Sequence, residues 1–130
     1  MSELIGIPSP YTWDAPFRYS QATRVGDLLF VSGQAAVGPD GQIVGEGDFV
    51  AQAECAFENL KTVLEASGSS LDQVAKVTIF LTDKADFPHI LDCREKYFSA
   101  PYPADTTVEV TGLALPGLMV EVEAIAVLNS

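Results

Sequence analysis

The sequence predicts an α/β domain of the α+β kind, in which two helices pack on one face of a mixed β-sheet. The chain has 130 residues, of which 48% are hydrophobic and 19% charged, a size and composition typical of one globular domain. Predicted elements follow the order strand, strand, helix, strand, helix, strand, strand, which favours a sheet with helices on one face. We therefore expect one domain over residues 1–130.

The first half of the chain predicts an irregular arm followed by two strands. Residues 1–16 contain Pro8, Pro10 and Pro16, so we expect an arm without regular structure. A short strand is predicted over residues 18–23, and an apolar strand over residues 28–32. Gly33 follows that second strand directly.

The two helices are predicted from caps and from apolar spacing. Asp48 is a suitable N-cap for a helix whose apolar residues recur at helical spacing up to residue 64. Residues 77–81 are rich in β-branched and aromatic side chains and predict a buried strand. A second helix is expected to begin at Asp86 and to end before Pro101. Arg94 lies on its apolar stripe, where another apolar residue would be expected.

The last two strands, predicted over residues 106–111 and 119–128, carry the first candidate site. Alternation in the final strand directs an apolar set of side chains to the helices and Glu121 and Glu123 to the opposite face, where a partner subunit would lie. The same rule gives Asp105, Thr107 and Glu109 one common face and assigns Val108 to the core. If the two strands pair, Asp105, Glu109 and Glu121 lie close together and raise one another's pKa, as in a general acid or base. The alternatives are capture of a cation or an ordinary hydrated acidic surface.

A second candidate site surrounds Gly33. A glycine directly after an apolar strand leaves room for the close approach of a ligand. Its backbone N–H and the hydroxyl of Ser32 are suited to binding a carboxylate, with Tyr19, Ser20 and Gln34 nearby in the predicted fold. The alternative is a turn that simply ends the strand.

Charge and cysteine content exclude several classes of function. The chain has 7 Lys and Arg against 18 Asp and Glu, a net charge of −11, which repels nucleic-acid phosphates. No apolar run reaches the roughly 18 residues of a membrane helix, and the first residues do not resemble a signal peptide. Cys55 and Cys93 are isolated, as expected for idle thiols in a reducing cytoplasm. No cluster of Cys and His predicts a metal site.

Several segments resemble the Rid (YjgF-type) family of reactive intermediate deaminases, in order, over residues 17–128. They are Tyr19-Ser20-Gln21-Ala22, Ser32-Gly33-Gln34, Val77-Thr78-Ile79-Phe80-Leu81-Thr82-Asp83, Val108-Glu109-Val110 and Val120-Glu121-Val122-Glu123-Ala124-Ile125-Ala126-Val127. The resemblance implies a chorismate-mutase-like protomer and a homotrimer with small-molecule sites between subunits. It also implies hydrolysis of enamines and imines, such as 2-aminoacrylate, to 2-keto acids and ammonia without a metal or organic cofactor.

The residues that the family uses are only partly present. Tyr19, Ser32 and Gly33 match the substrate-binding positions, and Glu121 matches the glutamate that handles water. Asp105 replaces the family's arginine, which binds the substrate carboxylate.

Two further substitutions accompany that change. Thr107 stands where a cysteine is common, and Leu91 stands where the family has a helical asparagine. An aspartate at position 105 would repel a 2-imino acid and favour a neutral or cationic ligand. Arg94 lies one helical turn beyond Leu91, so it either enters the pocket, to pair with Asp105 or bind an anion, or packs its stem on apolar surface with its head in water or near a carboxylate.

Two functions follow from this resemblance. The first is a non-standard enamine or imine deaminase in which Glu121 positions water. The second is a non-catalytic trimer that binds a small molecule in the same cleft. Although some members of the family are described as ribonucleases, we do not expect that activity here, because the sequence offers no basic groove.

Overall fold

A computed structural model describes residues 3–128 and contains a six-stranded mixed sheet with two helices. The strands are β1 (Leu4–Gly6), β2 (Ala22–Val25), β3 (Leu28–Ala35), β4 (Val74–Leu81), β5 (Ala104–Glu109) and β6 (Val120–Val127), and the helices are α1 (Phe49–Ala66) and α2 (Phe87–Tyr97). Within the sheet the strand order is β1-β2-β3-β6-β4-β5. Only the β4–β5 pair is parallel among these neighbours. The predicted fold class is confirmed.

Both helices cover one face of the sheet. Helix α1 begins after Asp48, whose carboxylate accepts a hydrogen bond of 3.1 Å from the backbone N–H of Ala51, as predicted for an N-cap. One continuous core joins the two helices to the inner sheet face. The inward side chains of β6 are all buried, which confirms the alternation predicted for that strand; they are Val120, Val122, Ala124 and Ala126.

The other face of the sheet, which we call the open face, has no cover within the described residues. Side chains that alternate with the buried ones on each strand point to it. Several are apolar and remain exposed, namely Leu28, Phe30, Val108 and Val127. An exposed apolar sheet face of this kind is typical of a surface that packs against another chain.

The N-terminal strands differ from the sequence expectation. Residues 4–6 of the predicted irregular arm form β1, which pairs antiparallel with β2. Strand β2 begins only at Ala22. Arg18 lies outside it, because it ends a short helical turn in a left-handed conformation, with φ of 59°, that an extended strand excludes. Strand β3 continues past Ser32 to Ala35.

The sequence pattern assigned the side chains of β5 to the wrong faces of the sheet. The strand pairs with β4, which separates it from β6, so the condition that the last two strands pair is not met. Asp105 lies opposite Val77, a buried residue on the helix face. Asp105 and Thr107 therefore point toward the helix side of the sheet, whereas Val108 points to the open face and not into the core.

Helix α2 follows the prediction in extent but not in every contact. The Asp86 side chain forms no cap hydrogen bond; instead, Asp83 caps the short turn before the helix by accepting 2.9 Å from the N–H of Ala85. Leu91 is 48% exposed, and Cys93 is buried in the core. Neither helix is long and apolar enough to cross a membrane, within residues 3–128.

Candidate functional site

Ser32 and Gly33 form a β-bulge inside β3. The strand pairs with β6 through Val31 and Ala124, and pairing resumes at Gln34 and Val122 with a shift of register. Two residues of β3 thus lie opposite one residue of β6. Bulges bend a strand and redirect its side chains, often beside a functional site. The alternative interpretation of Gly33, a turn that simply ends the strand, is therefore wrong, since the strand continues through it to Ala35.

Glu121 packs directly against Gly33. Its side chain leaves the open face of β6, where its partner on β4 is Phe80. A Cβ atom built on Gly33 would lie 2.6 Å from Glu121 Cδ, well inside van der Waals contact. Position 33 must therefore be glycine for this carboxylate to occupy its place. Burial, and then the charge of Glu123, raise the pKa of Glu121, as expected for a half-buried acid.

The hydroxyl of Ser32 already has an acceptor within the chain. Its Oγ donates a 2.6 Å hydrogen bond to the carbonyl of Ser20, and its backbone N–H donates 2.8 Å to the carbonyl of Gln21. Ser32 therefore ties the bulge to the segment before β2. Its hydroxyl oxygen retains a lone pair for a ligand, but its proton is not free for the carboxylate that the sequence suggested.

Tyr19 lies beside this group and is 45% exposed. Burial raises the pKa of Tyr19, the hydrogen bond from Gln21 opposes that rise, and the charges of Asp14 and Glu121 add to it. Tyr19 directly precedes Ser20, whose carbonyl accepts the hydrogen bond from Ser32, so the tyrosine and the bulge belong to one region. We call Tyr19, Ser32, Gly33 and Glu121 the Glu121 cluster.

Arg94 and Asp105 form a two-point ion pair on the other side of the sheet. Arg94 Nε lies 3.0 Å from Asp105 Oδ2, and Arg94 Nη2 lies 2.9 Å from Asp105 Oδ1. Thr107 Oγ1 accepts 3.1 Å from Arg94 Nη2 and donates 2.7 Å to Asp105 Oδ1. The guanidinium also lies over the ring of Phe87, 5.3 Å from its centre. We call Arg94, Asp105 and Thr107 the Arg94 cluster.

An open pocket of about 430 Å³ adjoins the Arg94 cluster between α2 and the start of β5. A pocket of this volume suits a small metabolite. Its walls combine apolar and aromatic side chains with three charged ones, and they comprise Leu91, Arg94, Glu95, Phe98, Tyr102, Pro103 and Asp105. With two carboxylates and one guanidinium, the charged lining has a formal net charge of −1.

One chain does not bring its two clusters together. The Glu121 cluster lies on the open face and its β3 rim, whereas the Arg94 cluster lies on the helix side at the edge strand β5. The predicted acidic trio of Asp105, Glu109 and Glu121 is therefore wrong, and with it the cation site that it suggested. Glu109 instead accepts 2.8 Å from the backbone N–H of Lys84, and residues 3–128 contain no grouping of three or more metal-ligating side chains.

Two buried residues beneath Tyr19 were not among the site residues predicted from the sequence. Gln21 is 2% exposed and Asp14 is 5% exposed, and they are joined by a 2.9 Å hydrogen bond. Gln21 also donates 3.0 Å to the Tyr19 hydroxyl. The pattern offered no signal for Asp14, because one aspartate in a proline-rich arm is indistinguishable from a hydrated surface residue.

Residues 12–128 match the protein family described as Endoribonuclease L-PSP. The crystal structure of RidA from the Antarctic bacterium Psychrobacter sp. PAMC 21119 superposes with a TM-score of 0.80 and 39% identity, covering 85% of this chain and 89% of that one. This chain belongs to the Rid family. The resemblance expected from the sequence motifs is thereby confirmed.

Curated relatives in the Rid family align over most of their own length. Protein HMF1 of Saccharomyces cerevisiae is 47% identical over 108 residues, which is 83% of this chain and 82% of HMF1. The 2-iminobutanoate/2-iminopropanoate deaminase of the mite Dermatophagoides farinae is 39% identical over 111 residues, 85% of this chain and 86% of that protein. The Rid fold is thus shared with a relative that carries a deaminase name.

Proposed function

We propose that this Rid-family protein hydrolyses the imine or enamine group of a small metabolite to a carbonyl compound and ammonia. The observation that carries the proposal is Glu121, a half-buried carboxylate with a raised pKa, set against a glycine bulge that leaves room beside it. A general base works best when its pKa approaches the working pH. The mite deaminase among its relatives supports the same chemistry.

Glu121 has the properties that imine hydrolysis requires. In the proposed reaction, its carboxylate accepts a proton from water while the water oxygen bonds to the imine carbon. Glu121 then returns this proton to the imine nitrogen, which gives a neutral carbinolamine. The C–N bond breaks when Glu121 transfers the hydroxyl proton to nitrogen, so that the oxygen forms the carbonyl double bond and nitrogen leaves as ammonia. The products are a carbonyl compound and ammonia, and no metal or organic cofactor takes part in the proposed cycle.

The complete site is proposed to form between copies of the chain in a homotrimer. The Glu121 cluster and the Arg94 cluster lie on opposite sides of the sheet, so a ligand that touches both must lie between two chains. Exposed apolar residues of the open face, such as Phe30 and Val108, favour self-association, because burying them removes apolar surface from water. One folded domain per subunit is sufficient for this assembly.

The Arg94 cluster favours a substrate without a free carboxylate. Asp105 already occupies the position on the Arg94 guanidinium that the carboxylate of a 2-imino acid would need. A guanidinium can form a two-point pair of this kind with only one carboxylate along the same edge. Glu95 adds a further negative charge to the pocket wall. We therefore propose a neutral or cationic imine as substrate, bound with Tyr19, Ser32 and Gly33 from the Glu121 cluster of a second subunit.

A second candidate function is a trimer that binds a metabolite without converting it. The Arg94–Asp105 pair favours it, because the family's carboxylate-binding arginine is absent and its substitute is already paired. In that case the same pocket would hold a ligand, and Glu121 would act only as a hydrogen-bond acceptor.

Ammonia release from imines generated in solution separates the two functions. A 2-imino acid and the corresponding imino amide would be offered to the wild type and to Glu121→Gln. We expect turnover of the amide that is lost in the variant, with the 2-imino acid the poorer substrate. Binding of the amide without turnover would favour the second function, and unchanged turnover in Glu121→Gln would contradict the proposed role of the carboxylate.

The proposed compartment is the cytoplasm. Cys55 and Cys93 are free thiols, and Cys93 is buried. Burial raises the pKa of Cys93 to about 11, so this thiol stays protonated and unreactive at neutral pH. Two unpaired cysteines suit a reducing compartment.

A further inference from the structure

Three polar side chains are buried together beneath Tyr19 and form what we call the glutamine network. They are Asp14, Gln21 and Gln34, exposed by 5%, 2% and 3%. Such residues are seldom buried unless every polar atom has a partner. Here each donor faces an acceptor, so the direction of every hydrogen bond can be deduced.

The carbonyl of Ser32 orients the amide of Gln34. A backbone carbonyl can only accept, so the group that faces it must be the Gln34 amide nitrogen, at 3.0 Å. The same nitrogen donates 2.8 Å to Gln21 Oε1. Gln34 Oε1 is left to accept 3.1 Å from the hydroxyl of Tyr11.

Asp14 orients the amide of Gln21 independently of Gln34. Burial raises the pKa of Asp14, but hydrogen bonds from Ser9 and Gln21 outweigh burial and bring it below the ordinary value. The ionised carboxylate can only accept, so it faces Gln21 Nε2, at 2.9 Å. Both anchors, Asp14 and Gln34, require the same amide orientation.

This orientation determines the role of the Tyr19 hydroxyl. Gln21 Nε2 donates to Tyr19 Oη at 3.0 Å, so the phenol oxygen is an acceptor on its buried side. Its proton must point elsewhere, and within residues 3–128 that proton has no hydrogen-bond acceptor. Tyr19 is nearly half exposed and directly precedes Ser20, whose carbonyl accepts the hydrogen bond of Ser32 in the Glu121 cluster, so its proton is available to a ligand in the proposed site.

We propose that Gln21, held by Asp14 and Gln34, is a positioning residue that presents the Tyr19 O–H as a hydrogen-bond donor to an acceptor atom of the ligand. This inference rests on the proposed function, since it takes the Glu121 cluster as part of the ligand site. The ligand class is thereby narrowed to molecules with a lone pair opposite Tyr19, such as a carbonyl oxygen or an imine nitrogen. Because the buried network sets the direction in advance, little ordering is required on binding.

The first test needs no substrate. Tyrosine labelled with ¹³C at the ζ carbon would report the pKa of Tyr19 by NMR in the wild type, Gln21→Met and Gln21→Glu. Loss of the donated hydrogen bond should raise the pKa of Tyr19 in both variants, and Gln21→Met adds no charge beside Asp14. Gln52→Glu is the matched control, because Gln52 is a buried glutamine bonded to Gly45, Gly117 and Met119. A Tyr19 pKa that does not move in the Gln21 variants would overturn the inference.

The second test is a double-mutant cycle on kcat/KM for the imino amide. Tyr19→Phe and Gln21→Met should each lower it about three- to tenfold, the range for one neutral hydrogen bond. The double variant should be no worse than Tyr19→Phe alone, because Gln21 acts through that hydroxyl. If the loss of kcat/KM in the double variant equals the product of the two single losses, Gln21 supports only the fold, and the proposal is overturned. If the wild type converts no imine, the proposed function fails, and the Tyr19 titration alone decides this inference.

Discussion

Arg94 and Asp105 join helix α2 to the edge strand β5 through two parallel hydrogen bonds of 3.0 and 2.9 Å. The Rid family resemblance leads one to expect an arginine at position 105, projecting from the strand. Here the guanidinium comes from the helix, and the strand supplies the carboxylate. A cation is thus retained in the pocket wall, but it is already neutralised by its partner.

Removing that partner should restore affinity for carboxylates. In Asp105→Asn, Arg94 keeps its place beside Thr107 but loses the competing charge, so a 2-keto acid can occupy the guanidinium. We expect its affinity, relative to that of the matching amide, to rise roughly tenfold or more, the value of a charge-assisted hydrogen bond. NMR titration of both ligands measures this ratio.

Glu95→Gln is the matched control for that titration. This variant removes one negative charge from the same pocket wall but leaves Arg94 paired with Asp105. It should therefore change the ratio of keto-acid to amide affinity much less. An equal rise in both variants would mean that only the pocket's overall charge matters.

The ion pair should also stabilise the fold. The side chains of Arg94 and Asp105 are only 28% and 18% exposed, so Arg94→Ala leaves a largely buried carboxylate without its cation. We expect the free energy of unfolding, measured in urea, to fall by about 1–3 kcal/mol. Adding Asp105→Ala should recover part of this loss, because the unpaired charge is then gone.

Lys96 provides a control on the same helix. Its ammonium lies 3.6 Å from Glu54, and both side chains are more than half exposed. Exposed pairs contribute little, so Lys96→Ala should change the stability by less than about 0.5 kcal/mol. A similar loss in Arg94→Ala and Lys96→Ala would contradict the structural role given to the Arg94–Asp105 pair.

The sequence predicted some parts of this molecule because a repeating pattern covered them. In strand β6 every second residue from Val120 to Ala126 is apolar, and both glutamates belong to the other set, so the outward direction of Glu121 follows from the two-residue repeat of a strand. In β5 both alternating sets of side chains contain polar residues, and Val108 is the one large apolar residue. The alternation alone therefore does not show which set faces the helices. The parallel pairing with β4 decides it, and that depends on the whole topology.

The candidate site was predictable in its parts but not in its connections. Arg94 was conspicuous as a charge on an apolar stripe, yet only the structure shows that it reaches Asp105. Asp14 was not noted, and Gln21 was noted only as part of a family motif, because a buried polar residue and a hydrated one look alike in a sequence. Their burial depends on the path of the N-terminal arm, which no periodic pattern specifies.

Gly33 should not tolerate a side chain. In Gly33→Ala the new Cβ would overlap the Glu121 carboxylate, so we expect Glu121 to be displaced and imine turnover to be lost. The free energy of unfolding should change much less, because the displaced group is the end of a flexible side chain. Gly112→Ala is the control, since nothing lies within 4 Å of its added Cβ; if it behaved like Gly33→Ala, the contact with Glu121 would not be the cause.

The raised pKa of Glu121 predicts the pH dependence of both activity and stability. As the proposed base, it must be ionised, so kcat/KM should rise with pH through a pKa above the ordinary value of 4.5. Glu123→Gln should shift that rise to lower pH, because the charge of Glu123 contributes to the raised pKa, whereas Glu95→Gln, on the other side of the sheet, should not. An unshifted profile in Glu123→Gln would contradict the assignment of this pKa to Glu121.

The raised pKa of Glu121 also determines whether stability increases or decreases with pH. Because the pKa of Glu121 is higher in the folded state than in the unfolded state, the protonated acid stabilises the fold. This stabilisation is complete below the unfolded-state pKa and is lost as the pH rises through the folded-state pKa. Glu121→Gln stays neutral, so it should resemble the wild type near pH 4 and be the more stable protein near pH 7. Urea unfolding at the two pH values measures the difference. A variant that is less stable than the wild type only near pH 7 would show that the carboxylate is stabilised by its surroundings, contrary to the burial of Glu121 against Gly33.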